Sequence, residues 1–229
     1  MSNPSVVILQ LAASVANGVC LAQAIPAIGN MNLNGSLVVN GVAVLDAPRR
    51  LVIASSGNDA LIVFTIVGTN GTGQPISETL TGLTNTNPLQ TALDYKTVTS
   101  IRSSGTTVSQ IVVGTNGVGS SPWVLDNHLA TVWALAVAVS LSGGAVTYTV
   151  EHTYDDPNDV GPTLTAMPEQ WSLEPASYVA PLAWPNGTLN GRSTNGETTY
   201  ADQPIMAHRL TITAGTGRAV MQSIQAGID

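Results

Sequence analysis

Charged side chains are the scarcest feature of this sequence. Lysine and arginine together number 7, aspartate and glutamate number 14, and charged residues make up 9% of the 229 positions, against roughly 25% in an average globular domain. The formal net charge is −7, and the cations form no cluster beyond Arg49 and Arg50. Because sequence-independent binding to nucleic acid requires several cations that displace counterions, we predict no direct DNA or RNA binding.

Cysteine is nearly absent as well. The single thiol, Cys20, excludes an intrachain disulfide framework and any zinc site built from several cysteines. An isolated free cysteine usually behaves as a small apolar residue, so we predict that Cys20 is buried in a core. No cofactor is expected.

The first 45 residues contain no charge at all, and the first charged residue is Asp46. The apolar stretch near the start is interrupted by Gln10, Ser14 and Asn17 and has no basic segment before it, so it predicts neither a secretion signal nor a membrane span. An uncharged apolar surface of this length requires cover from protein. We therefore predict an extended arm over residues 1–46 that adds strands to a sheet and packs against its own domain or against neighbouring subunits.

Hydrophobic residues, by contrast, make up 44% of the chain, and they lie in short β-branched runs separated by turns rich in glycine and asparagine. Between Val146 and His152, alternate residues would share one face, which is the period of a half-buried antiparallel strand. No stretch has a sustained helical period. The pattern predicts an all-β protein of antiparallel sandwich, jelly-roll-like or barrel modules, the first over 47–120 and the second over 121–229.

The pentapeptide Val-Gly-Thr-Asn-Gly occurs twice, at 67–71 and at 113–117. Asn-Gly is a common hairpin turn signal, and the flanking residues do not match, so we interpret the copies as two independent turns rather than as a duplication. Three Asn-Gly-Ser/Thr triplets begin at Asn34, Asn70 and Asn186 and are also interpreted as turns.

A proline-rich segment over 155–204 is predicted to be a long ordered loop within the second module. It carries four aromatic residues that we assign as candidate interface residues: Trp171, Tyr178, Trp184 and Tyr200. Long ordered loops with aromatic residues usually serve contact or assembly. A solvent-exposed row of these side chains would instead favour sugar stacking, as in a carbohydrate-binding module.

Few residues could carry catalysis or bind a metal. The acidic cluster over 155–159 suits a hard cation such as Ca²⁺, but it lacks the loop pattern of a calcium site and is better explained as a turn after a strand. The three histidines, His128, His152 and His208, have no metal-ligand spacing, and the chain has no Gly-x-Ser-x-Gly nucleophile elbow. We predict no catalytic site, no metal site and no enzymatic activity, with a hydrolase as the least favoured alternative.

Four stretches of the sequence resemble structural proteins of tailed bacteriophages: "PRRLVIASSGNDALIVFTIVGTNGTGQPISETLTG", "DYKTVTSI", "VTYTVEHTYDDP" and "AHRLTITAGTGRAVMQSIQAGID". The resemblance extends over about residues 47–115 and 130–229, and it supplies no active site. It implies a virion component, made in the host cytoplasm, that serves as a capsid decoration or cement protein. A tail, neck or fibre component with carbohydrate (receptor) binding is the alternative.

The same resemblance implies the partners. They are other copies of the chain, with a trimer as the expected oligomer, and the major capsid protein or other virion proteins. Contact with a membrane is not expected.

Overall fold

A computed structural model describes residues 3–127, 133–158, 180–201 and 204–226. Within these ranges the chain forms antiparallel strands and no helix, so the all-β prediction is confirmed. None of the described residues belongs to a helix long and apolar enough to cross a membrane.

The strands follow one another at short intervals, as the sequence pattern predicts. In chain order they are β1 (Asn3–Gln10), β2 (Cys20–Gln23), β3 (Gly29–Asn30), β4 (Val38–Val39), β5 (Val42–Ser55), β6 (Phe64–Thr69), β7 (Pro75–Leu80), β8 (Leu89–Gln90), β9 (Tyr95–Ser103), β10 (Ile111–Ser120), β11 (Val124–Leu125), β12 (Ala134–Ser142), β13 (Val146–Thr153), β14 (Trp184–Pro185), β15 (Gly196–Ala201), β16 (Ala207–Gly215) and β17 (Arg218–Ala226).

The chain divides into two compact units. Unit one takes its described residues from Met1–Ala13, Gly117–Asn158 and Ala180–Asp229, and unit two takes its described residues from Ser14–Asn116. The division falls at 13/14 and at 116/117, whereas the predicted boundaries are at residues 46 and 120. The predicted arm contributes its first residues to unit one and the remainder to unit two.

Unit one contains a four-stranded antiparallel sheet in the order β1-β17-β12-β15. The register is regular across all four strands, so that Val6 lies opposite Gln222, Gln222 opposite Ala138, and Ala138 opposite Glu197. Because side chains alternate along a strand, these four share one face. The opposite, inner face is buried through Leu135, Val137, Val139, Ala219 and Met221.

A second sheet of unit one packs against that inner face. Its strands run in the order β14-β13-β16, and β11 and the end of β10 also pair with β16. The buried side chains of this sheet are Val146, Tyr148, Val150, Leu210 and Ile212. Val146, Tyr148 and Val150 share a buried face as predicted, but Thr149 and Thr153 on the other face are buried too, so β13 is not simply half-buried. The two sheets form a sandwich with an apolar core between them.

Unit two contains strands in the order β10-β5-β9-β6-β7, with β2, β3, β4 and β8 added at shorter pairings. Its core includes six residues of the uncharged leader: Val19, Cys20, Ile25, Met31, Ala43 and Leu45. Cys20 is fully buried, as predicted. In the described residues the leader therefore packs within its own chain, through β1 in unit one and through β2 to β4 in unit two. Its role between subunits stays a prediction.

One predicted turn is wrong. The first Val-Gly-Thr-Asn-Gly copy ends β6 and begins a turn, but the copy at 113–117 lies inside β10. The reason is tertiary contact: a Cβ on Gly114 would stand 2.0 Å from the Val15 carbonyl oxygen, so this glycine serves the close approach of two backbones. Local turn chemistry is overridden where strand pairing needs the residue.

The Asn-Gly-Ser/Thr triplets act through the asparagine side chain. The carboxamide oxygen of Asn70 accepts hydrogen bonds from the Thr72 and Gln74 amides, and that of Asn186 accepts from the two amides at 188 and 189. Both are turns, as predicted. Asn34 accepts from the amide of Leu21, 13 residues away, and so joins two segments of the leader.

The predicted loop over 155–204 also requires a correction, because residues 196–201 form β15 at the edge of the four-stranded sheet. Exposure alternates along this strand, with Thr198 and Tyr200 less exposed than their neighbours. The signal was present as a short alternation in "GETTYA" but lay within a segment dominated by turn residues and proline. The other proposed interface residues, Trp171 and Tyr178, lie outside the described residues.

Candidate contact surfaces

Four rings form a cluster at one edge of the unit-one sandwich, which we call the aromatic edge: His152, Tyr154, Trp184 and Tyr200. Trp184 lies opposite His152 in the antiparallel pairing of β14 with β13. The His152 ring centroid is 5.3 Å from that of Tyr200 and 5.5 Å from that of Tyr154, with interplanar angles of 71° and 87°. These are the edge-to-face geometries that aromatic rings prefer. The fold thus brings two predicted interface residues, Trp184 and Tyr200, to a common edge.

The four side chains of the aromatic edge differ in how deeply they are buried. Burial raises the pKa of Tyr200 to about 12 and lowers the pKa of His152, and the Tyr200 hydroxyl lies 3.4 Å from His152 Nδ1. Trp184 and Tyr154 each expose half of their surface. Half-exposed aromatic rings with a polar atom beside them are suited either to a protein interface or to a sugar ring.

The acidic cluster beside this edge is a turn, as predicted. Asp156 accepts a hydrogen bond from the Asn158 amide, Asp155 accepts one from the Leu182 amide, and the Asp155 amide donates to Thr153. Each of these two carboxylates therefore accepts from a backbone amide, Asp156 from two residues away and Asp155 from 27 residues away. In the part of the chain that the structure describes, no three His, Cys, Asp or Glu side chains are grouped so that they could hold a metal ion; Asp159 lies outside that part.

A buried hydrogen-bonded chain of Asp126, His208 and Ser223 crosses the sandwich of unit one. His208 Nδ1 lies 2.8 Å from Asp126 Oδ2, and His208 Nε2 lies 3.0 Å from Ser223 Oγ. The chemical order is that of a serine hydrolase triad. The sequence does not reveal that these three residues meet, because separations of 82 and 15 positions match no motif.

Burial determines the role of these three hydrogen-bonded residues in the structure. Ser223 is only 3% exposed and His208 is fully buried, so a substrate carbonyl has no path to the hydroxyl. His208 projects from β16 of one sheet and Ser223 from β17 of the other. The hydrogen bonds therefore tie the two sheets together, and the adjacent Gln225 adds two more to the backbone of Asn127.

The solvent-facing side of the four-stranded sheet, which we call the outer face, is apolar and almost uncharged. Its large side chains stand on β1 and β17: Val6 is 59%, Ile8 56% and Ile224 51% exposed. The neighbouring β12 presents small side chains on the same face, among them Ala136 and Ala138. A ridge of branched side chains thus lies beside a strip of alanines.

A groove of about 540 Å³ opens on the β12 and β15 side of the outer face. It contains Ala138 and Ser140 from β12, Gln222 from β17, and the charged groups of Arg192 and Glu197. Arg192 reaches oxygen atoms of Thr188, Thr194 and Asn195 only at 3.3 to 3.5 Å. Polar side chains line one end of the groove and small side chains line the other, and none of the lining residues is aromatic.

Comparison of the chain with family models, with curated proteins and with solved structures finds no match.

Proposed function

We propose that the protein is a non-enzymatic structural component of a bacteriophage virion, a capsid decoration or cement protein that acts through protein–protein contacts. The observation that carries the proposal is the outer face, where an apolar ridge and an alanine strip are exposed on a regular sheet. Exposed apolar surface of this kind is typical of an interaction site. The resemblance to phage structural proteins supports the virion as its place of action.

The proposal is tested on purified particles of the phage that encodes the chain. We expect the protein in a fixed number of copies per particle, bound through washes at high salt, because apolar contacts are little screened by ions. Particles assembled without it should release their DNA at a lower temperature. Absence of the protein from purified particles would refute the proposal.

The tail, neck or fibre alternative with carbohydrate binding has one observation in its favour, which is the half-exposed pair Trp184 and Tyr154. Stacking on a sugar ring needs an accessible aromatic face. The variant Trp184→Ala separates the two roles. As an interface anchor it should weaken particle attachment roughly 30-fold, which corresponds to about 2 kcal/mol, and leave binding to a glycan array unchanged.

A matched control for this variant is Leu61→Ala, because Leu61 is a large exposed side chain in unit two. It should change neither attachment nor glycan binding. If Trp184→Ala abolishes glycan binding and particles retain the protein at full occupancy, the aromatic edge is a sugar site and the fibre alternative is correct for this surface.

A further inference from the structure

We propose that the outer face of the four-stranded sheet is the contact with a second copy of this chain, related by a two-fold axis that runs parallel to the strands. The inference rests on the proposed function as a contact protein and deepens it by naming the surface and its occupant. It predicts a face-to-face pair, in place of the trimer implied by the resemblance.

The shape of the outer face suits a two-fold pair. A two-fold axis parallel to the strands places β17 of one copy over β12 of the other, and β1 over β15, because the sheet order reverses across the interface. The branched side chains of Val6, Ile8 and Ile224 then meet the partner's alanine strip and its groove. A face that carries both the ridge and its complement is self-complementary, as a two-fold interface requires.

The outer face carries few charged side chains. The chain has a formal net charge of −7, which would oppose self-association over most of its surface. On the outer face, however, the four strands carry only Glu197 on β15 and Arg218 on β17. With Arg192, which lines the groove on the same face, the outer face carries two cations and one carboxylate, so it does not share the negative charge of the chain as a whole. β1, which lies over the partner's β15, has no charge to repel Glu197.

The outer face is large enough to form an interface. Four strands at ~4.8 Å spacing and seven to eight residues at ~3.4 Å rise give a face of roughly 19 by 25 Å. Two such faces bury on the order of 1,000 Å² in total, which is the lower limit for a specific interface. An interface of this size lies in the weak range, so we expect the pair to be in a concentration-dependent equilibrium with the monomer.

The experiment uses the full chain at concentrations from about 1 to 100 µM, with mass measured by light scattering and sedimentation equilibrium. We expect wild type to be a dimer. Val6→Glu places a carboxylate over the partner's Glu197 and should raise the dissociation constant roughly 30-fold or more. Ile224→Glu, on the neighbouring strand, should do the same.

The matched controls are Val108→Glu and Leu61→Glu in unit two, where the replaced side chains are 80% and 94% exposed. They add the same charge and should leave the dimer intact, and circular dichroism should show all four variants folded. A wild type that is monomeric at 100 µM overturns the inference, as does a dimer that tolerates both outer-face variants.

This test and that of the proposed function fail separately. A protein that is monomeric in solution and nevertheless loses its place on particles when it carries Val6→Glu would use the outer face for a different virion protein. That result refutes the second copy as occupant and leaves the structural function standing.

Discussion

The two units place their few charges differently. In unit two, charges are buried and paired: Arg49 Nη1 lies 3.0 Å from Asp46, and Asp59 accepts hydrogen bonds from Ser55, Ser109 and the Val108 amide. Unit one has an ion pair within one sheet, Arg209 and Glu151 at 2.7 Å, but joins its two sheets through the buried pair of His208 and Asp126 and through neutral hydroxyl and amide groups. The buried charges thus fix local geometry in both units, at the end of the leader in unit two and between the sheets in unit one.

In unit two, charged residues fix the backbone geometry at the end of the uncharged leader. The register between β5 and β9 shifts between Val44 and Arg49. The single lysine, Lys96, donates to the carbonyl oxygens of Leu45 and Asp46 at 2.7 and 3.1 Å, and Arg49 donates to Asn116 as well as to Asp46. The first charges in the sequence thus stabilise an irregularity in the backbone.

Unit-specific reporters allow the comparison to be tested. Cys20 lies in unit two, and burial raises the pKa of its thiol to about 12, so alkylation near neutral pH requires unfolding of that unit. Trp123, Trp133 and Trp184 lie in unit one. In a Trp171→Phe background, tryptophan fluorescence therefore follows unit one.

The largest effect is expected from His208→Ala in unit one. The change leaves the Asp126 carboxylate buried without its hydrogen-bond partner, and removal of one member of a buried pair costs about 3–5 kcal/mol. Urea unfolding followed by tryptophan fluorescence measures the loss. His152→Ala serves as the control, because His152 is only half-buried and should cost less than half as much. A loss below about 1 kcal/mol for His208→Ala would mean that the buried chain does not hold the sheets together.

A smaller effect is expected from Arg49→Ala in unit two. The Asp46 side chain is one-third exposed, so it can be rehydrated when its partner is removed, and we expect a loss of about 2–3 kcal/mol. Denaturant-dependent alkylation of Cys20 gives the value. Arg49→Met keeps the buried stem and should lose less. Equal losses for the two variants would show that the ion pair, not the packing of the stem, dominates.

The sequence was most informative where periodicity was local. The run that became β13 was predicted to within one residue, because its alternation is contained in the run itself. The buried residue Cys20 followed from the behaviour of isolated thiols. These features depend on neighbours in the chain, which a sequence displays directly.

Features that depend on distant partners could not be predicted in the same way. The Asn116 segment resembles a turn but is held in β10 by contacts with Arg49 and Gln90. The chain of Asp126, His208 and Ser223 exists only because two sheets meet. Of the candidate interface, the sequence indicated Trp184 and Tyr200 as aromatic residues, but their meeting at His152 follows from the pairing of β13 with β14 and from the position of β15.

The smallest effect concerns the pH dependence of unit one. Burial lowers the pKa of His152 below its ordinary value of 6.5, so on acidification the unfolded state binds a proton before the folded state does. The free energy of unfolding therefore falls as the pH drops below about 6.5, and the fall ends once the folded-state pKa is passed.

His152→Gln has no such titration and should show a shallower decrease in urea midpoint between pH 7.5 and pH 5, measured by tryptophan fluorescence. Arg49→Met, which titrates nothing in this range, should retain the wild-type slope. Parallel curves for wild type and His152→Gln would place the acid sensitivity of unit one at another group and show that the aromatic edge accepts the imidazolium without cost.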